Sequence, residues 1–329
     1  MIDFRYHLVS IVAIFLALAV GIVLGTNLLQ DPAIKTANEM TRQLTQTNEG
    51  LRGELDVMKG REQVHQEFIT TLTPQLVQGG LAGEQVLLVE APGASSTYRE
   101  LTEQVLAEAG AKVTGRLLLL DKFFDPKSAG VLDGLVNQLK PAEMAFADTA
   151  TVHDKAATLL AATLMTADPA LAGTPNEATS AVVDGLQTGG FIDVDFIDDN
   201  DEPINRATLA VLYSPDAPYE GDNAESQAAA LVSVAGGIDA GGKGAVMAGA
   251  AATSAAPGGA ITALRDDSET AKRVSSVDNV DMPEGQVVIV YALREQATGG
   301  VGQYGTGAGA TAFQPVTPSP APSSTESGS

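Results

Sequence analysis

Between Leu8 and Gln30 the chain carries no charged side chain, and from Leu8 to Leu24 only Ser10 and Gly21 interrupt a run of aliphatics, Ala and Phe15. As a helix these 23 residues span about 35 Å, enough to cross a bilayer core with some tilt. A secretory signal has a shorter apolar core followed by a small-x-small cleavage site. Here the apolar run continues through Gly25-Thr26-Asn27-Leu28-Leu29 with no Ala-x-Ala beyond it. The stretch is therefore read as a retained anchor over residues 1–30. Only a short amino-terminal tail precedes it, and long domains translocate whatever their charge, so the aqueous remainder is expected outside the cytoplasm.

Within this stretch Ala13, Ala17, Gly21 and Gly25 recur every fourth residue, the last two as Gly-x-x-x-Gly. Small residues on one stripe let two helix backbones approach closely in lipid. The competing reading is that Ala and Gly are frequent in membrane helices in any case. His7, just before the apolar run, reads as an interfacial residue rather than a ligand.

The balance of charge narrows the partners. With 19 basic and 41 acidic side chains the formal charge is −22, leaving no basic footprint to neutralise phosphates, so nucleic acid is excluded as a partner. Cysteine is absent, which removes disulfides, thiolate metal sites and Cys nucleophiles and suits an exported protein.

After the anchor, Asp31-Pro32 has the form of a helix start, with Asp as N-cap and Pro at the first helical position. From there to Thr73 the chain has no further Pro. A heptad row reads Ala37, Leu44, Leu51, Met58, His65 and Leu72, beside a mixed row of Met40, Thr47, Glu54, Arg61, Phe68 and Gln75. This pattern predicts a coiled coil over 31–78 that needs a partner, a second copy or another coiled-coil protein. Its seam is Leu44, Leu51, Met58 and Leu72. His65 falls on the same row and reads as a packed or partner-facing residue. Pro74 and Gly79-Gly80 end the segment.

From residue 79 to 298 short apolar runs alternate with amphipathic segments, the signature of an α/β domain on a parallel sheet. Strands are predicted at 85–90, 112–120, 191–198, 207–213, 245–250 and 286–293. Helices are predicted at 95–109, 126–139, 152–166, 176–188, 223–234 and 260–273. Residues 299–329 are Gly/Ala-rich and then Pro/Ser/Thr-rich, and read as a disordered tail.

No constellation carries catalysis. Gly237-x-x-x-x-Gly242-Lys243 resembles a phosphate loop, but Gly244 stands where a Ser or Thr holds magnesium, and a strand follows where a helix should. Gly300-x-Gly302-x-x-Gly305 leads into a Pro-rich segment without a helix. Both read as turn or tail glycines. Ala91-Pro92-Gly93-Ala94-Ser95-Ser96-Thr97, after the first strand, has the position of an anion site at a helix N-terminus, but reads as an ordinary N-cap. Asp193, Asp195, Asp198, Asp199, Asp201 and Glu202 could offer oxygens to a hard cation, but read as a solvated turn. His153 lies in a predicted helix with no Gly-x-Ser-x-Gly elbow beside it. The chain is not expected to be an enzyme, and no cofactor is implied.

The opening MIDFRYHLVSIVAIFLALAVGIVLG, the coiled coil, the α/β region and YGTGAGAT from Tyr304 together resemble the actinobacterial copper-transport family called MctB, over nearly the whole chain. The resemblance implies an outer-membrane, pore-forming protein of copper efflux. Its own residues offer three histidines, seven methionines without a Met-x-x-Met pair and no β-barrel pattern. No copper ligand is carried over from the family, and the metal ligands stay unassigned. The second reading is an anchored coiled coil that presents its α/β domain to partners in envelope assembly or division.

Overall fold

The computed structural model describes residues 4–195, 204–254 and 258–316, with the backbone alone at 26–34, 251 and 254. Two compact units divide the chain, residues 1–65 and 66–329. The described residues of the first all lie on helix α1 (Phe4–Val77), which also enters the second. α1 runs unbroken through Asp31-Pro32, where the sequence predicts a fresh start. Pro32 removes one backbone donor from that helix, but the long uninterrupted stretches on either side outweigh the local signal. The segment Phe4–Gly25, with mean hydropathy 2.9, is long and apolar enough to cross a membrane. α1 ends at Val77, and Gly79 follows at a φ of 68°, a left-handed geometry that suits glycine.

The second unit is an α/β fold. In chain order, β1 (Gln85–Glu90), α2 (Ser96–Glu108) and β2 (Lys112–Leu119) lead to the short α3 (Asp121–Phe124), then α4 (Ala129–Leu139), α5 (Val152–Leu164) and α6 (Thr179–Thr188). Then come β3 (Ile192–Asp195), β4 (Leu209–Tyr213), α7 (Ala224–Gly241), β5 (Gly244–Ala248), α8 (Ala251–Ser254) and α9 (Ala260–Asp266). β6 (Ser275–Val277), α10 (Pro283–Gln296) and β7 (Gln303–Tyr304) close the described chain. The seven strands lie in the order β3-β2-β1-β4-β5-β6-β7. All neighbours are parallel except β2 and the edge strand β3.

The central strands are sealed on both faces, as their unbroken apolar runs require. Leu87, Val89, Ala210, Leu212, Ala245 and Met247 face one core with α4, α5, α6, α7 and α9. Val86, Leu88, Leu209, Val211, Tyr213 and Val246 face the other, with α2, α10 and Val77 of the last turn of α1. Tyr291 Oη donates to the Leu76 carbonyl at 3.2 Å and fastens that turn.

Three expectations are corrected here. Residues 286–293 form part of α10 rather than a strand. The run Gln286–Leu293 is β-branched and buried on most sides, so neither the periodicity of a strand nor that of a surface helix shows. The helical signals are Pro283 at the first position, Glu284 in the first turn and Arg294 in the last. Ordered sheet also continues past residue 298, because Gln303–Tyr304 pairs as β7; residues 317–329 of the expected tail lie outside the described residues. The predicted helix over 260–273 stops at Asp266.

Gly237 and Gly241 are packing residues of α7 rather than turn residues. A Cβ on Gly237 would stand 2.5 Å from the Ala157 methyl, and one on Gly241 2.8 Å from that of Ala161, both on α5. Gly237→Val is expected to destabilise the chain by about 2–3 kcal/mol through overpacking. Denaturant unfolding of the two proteins checks this, and an unchanged midpoint would contradict the close approach.

Candidate functional site

The association residues lie on α1. Nothing stands within 4 Å of where a Cβ would be at Gly21 or Gly25, and Ala13 and Ala17 are exposed. Leu44 is 71%, Leu51 56% and Met58 65% exposed, and His65 is exposed too. Leu72, in the second unit, is half-buried. The seam row up to residue 65 thus presents an apolar face that nothing in the first unit covers. At about 100° per residue, the centres of the small-residue row and the seam row stand roughly 125° apart around α1. Two straight helices therefore meet along one row or the other, and both rows are engaged only by more than one neighbour.

At the carboxyl edge of the sheet, the strand order reverses between the parallel strands β1 and β4, the place where α/β folds open a crevice. A cavity of about 520 Å³ lies there, walled by Pro92, Pro215, Pro218, Phe124 and Tyr219 with the carboxylates of Asp121 and Glu220. The adjoining N-terminus of α2 is already occupied. The Asp216 carboxylate accepts the Ser95 N–H, and the Asp216 N–H donates to the Gly93 carbonyl at 2.9 Å. Burial holds the Asp216 carboxyl above its ordinary value, with the charge of Asp281 adding to the rise and the Ser95 N–H opposing it. An internal carboxylate thus takes the place of the external anion that the Ala91–Thr97 segment suggested.

A second groove, of about 1140 Å³, runs along the Ala/Gly face of α7 between α5 and α9. Its rim carries Asp154, Asp222, Glu225, Asp266 and Glu269 against Arg273. Near the end of α7, burial raises the Asp239 carboxyl from 3.8 to about 6, opposed by Arg273 and the Ala245 N–H. His153 is packed into the fold. Its Nε2 lies 3.0 Å from the Phe123 carbonyl, its ring stacks on Phe124, and burial lowers its pKa.

The other motif residues serve the fold. Asp193 accepts from Gln187 Nε2 at 2.7 Å, and Asp195 pairs with Arg116 at 2.6 Å. Asp198, Asp199, Asp201 and Glu202 lie outside the described residues. Gly242 ends α7 so close to the Thr208 carbonyl that a Cβ would stand at 2.6 Å, and Lys243 pairs with Glu84 at 2.7 Å. The glycines after Tyr304 wrap a buried ion pair, which the sequence reading missed. Arg265 Nη1 lies 2.8 Å from Asp278, their side chains 4% and 0% exposed. Thr306 and Gly307 donate their N–H groups to the same carboxylate at 2.8 and 2.9 Å. Arg265 also donates to the carbonyls of Tyr304 and Ala308. Gly305, at a φ of 123°, has no room for a Cβ beside Asp278. The signal was the glycine spacing of YGTGAGAT itself, since a loop of bare N–H groups needs an anion, here one from the chain.

No group of three His, Cys, Asp or Glu within the chain could hold a metal ion among the described residues. Met165 and Met247 are core residues, whereas Met40 and Met58 are exposed on α1.

Two stability outcomes follow from this geometry. Arg265→Met leaves the Asp278 carboxylate buried without its cation, and is expected to cost about 3–5 kcal/mol, read as a fall in the denaturant midpoint. Asp239 behaves oppositely. Its folded pKa is the higher one, so ionising it between pH 3.8 and about 6 costs stability, fully above that window and not at all below it. Asp239→Asn should therefore stabilise the chain at pH 7 by up to about 3 kcal/mol and leave it nearly unchanged near pH 3.8. Paired melts at the two pH values decide this, and a gain at both would refute it.

Comparison with known proteins adds what the geometry alone does not carry. Residues 1–315 match the family described as "Copper transport outer membrane protein, MctB". The chain is 29% identical over 322 residues to "Copper transporter MctB" of Mycobacterium tuberculosis (strain ATCC 25618 / H37Rv), covering 94% of this chain and 98% of that relative. It is 30% identical over 324 residues to "Copper transporter MctB" of Mycobacterium leprae (strain TN), covering 95% and 99% respectively. From its amino-terminal apolar helix to the glycine loop around Asp278, this chain belongs to the MctB family of copper transport proteins.

Proposed function

We propose that this protein is a membrane-anchored component of copper efflux or homeostasis in the cell envelope, with its α/β domain outside the cytoplasm. The family relation carries the copper part of this reading, and the apolar segment Phe4–Gly25 carries the anchor. The active form is a parallel assembly of copies. Anchors inserted in one direction present their seams side by side, and tethering in the membrane raises the effective concentration of one seam for another. Leu44, Leu51, Met58 and Leu72 form that seam, while Ala13, Ala17, Gly21 and Gly25 form a separate contact within the membrane. Because the two rows face different directions, a pair joined along its seams keeps its small-residue rows free for a further neighbour. Such an assembly is what a pore built from single helices requires.

The exposed seam favours a second reading, in which it receives the coiled coil of an envelope-assembly or division protein. The chain's lack of cysteine makes a discriminating test simple. Leu51→Cys in the intact membrane protein should give a covalent homodimer on mild oxidation, and monomer alone would favour the second reading. For the copper role, a deletion strain should lose tolerance on graded copper and accumulate the metal. Unchanged tolerance and unchanged cellular copper would remove it.

A further inference from the structure

We propose that the cavity at the carboxyl edge of the sheet, by the ends of β1 and β4, binds a primary ammonium group on a short alkyl stem. The inference stands apart from the copper reading and from the seam of α1. The cavity occupies the switch point at which open α/β sheets receive their ligands, and its volume of about 520 Å³ suits a compact organic molecule. Anions are common guests at such a place, held by backbone N–H groups and a helix N-terminus. Here those donors are missing. Pro92, Pro215 and Pro218 in the wall carry no N–H, and Asp216 already takes the Ser95 N–H at the start of α2. Among the described residues, no Lys, Arg or His lines the cavity.

The lining offers acceptors and apolar contact instead. Neither the Asp121 nor the Glu220 carboxylate is hydrogen-bonded or ion-paired among the described residues. Tyr219 Oη is buried without a hydrogen-bond partner, an exception in a native fold that calls for a further group. Burial and then the nearby Asp121 carboxylate oppose ionisation of that hydroxyl, so it stays protonated. An unpartnered hydroxyl near an unpartnered carboxylate is bridged by a group that donates several N–H bonds at once. An ammonium does this with three diverging donors, whereas the planar guanidinium is matched best by a single carboxylate edge. The rings of Phe124 and Tyr219, 6.2 Å apart, and the prolines give the methylene stem its apolar contact, and a ring face also attracts the cation.

The test is calorimetric titration of the full-length protein in detergent at about 0.15 M salt, where attraction to the acidic surface at large is screened. The probes are Nα-acetyl-lysine methylamide, 1,5-diaminopentane, inorganic phosphate, and Nα-acetyl-norleucine methylamide, which keeps the stem without the charge. At least one amine should bind, and neither phosphate nor the norleucine compound. Binding of the capped lysine identifies the ammonium as a partner's side chain; binding of the diamine alone identifies it as a free small molecule. Asp121→Asn and Tyr219→Phe should each weaken the amine about fivefold. Tyr219→Phe removes a hydroxyl that has no partner in the free protein, so the melting temperature should hold or rise. Asp266→Asn, in the separate groove along α7, should leave the affinity as it was. The proposal is overturned if neither amine binds, if phosphate binds more tightly, or if the amine affinity is untouched by either cavity variant. Equal weakening by Asp266→Asn overturns it too, since the attraction would then belong to the whole acidic surface.

Discussion

Burial of β1, β4 and β5 on both faces is the constraint on which the rest of the α/β unit depends. Val86 to Val89, Leu209 to Leu212 and Ala245 to Met247 have essentially no exposure, so each face needs a complete layer of helices. A layer that dense demands close approaches, and Gly237 and Gly241 of α7 supply them against Ala157 and Ala161 of α5. The same demand explains why α10 is so apolar, since it lies over β4, β5 and β6 with α2 beside it. The acidic surplus is left to the exposed margins, notably the rim of the groove along α7.

Where β6 and β7 close the sheet, apolar burial gives way to polar order. Ser275, Ser276, Asp278 and Gln303 are buried and bonded to one another's neighbourhood: Ser276 Oγ donates to Gln303 Oε1 at 2.6 Å, and Gln296 Nε2 donates to Ser275 Oγ at 2.9 Å. Arg265 crosses this network to reach Asp278 and the glycine loop. A buried charge pair of this kind is poor evidence for stability, since desolvation opposes its Coulomb attraction. Its geometry is highly specific, however, because bare N–H groups, a carboxylate and a guanidinium must all be placed together. The glycine-rich segment near Tyr304 is therefore legible as a structural lock on the last strands.

What the residues revealed in advance follows from how each element is buried. β1, β2, β4 and β5 were readable because a short apolar run between helical patterns has few other solutions. α10 was not, since a helix covered on most sides loses the amphipathic period. β6 and β7 are three and two residues long and polar, so their pairing comes from tertiary contacts rather than from propensity. Asp31-Pro32 carried a valid local signal for a helix start, but α1 passes through it. At the candidate site, the heptad row was legible because spacing alone places Leu44, Leu51, Met58 and His65 on one face. For the Ala91–Thr97 segment the sequence favoured an N-cap over an anion site, and it did not reveal the carboxylate that meets the Ser95 N–H, because Asp216 comes from the loop after β4, far away in sequence.

The contrast between the two units bears on where copper chemistry belongs. In the α/β unit Met165 and Met247 are committed to the core and His153 to an aromatic stack, while Met144 and Met282 are half-buried. Its cavities present carboxylates, hard ligands that suit other cations better than copper(I). On α1 the order is reversed: thioether and imidazole are exposed, yet a single helix cannot surround an ion.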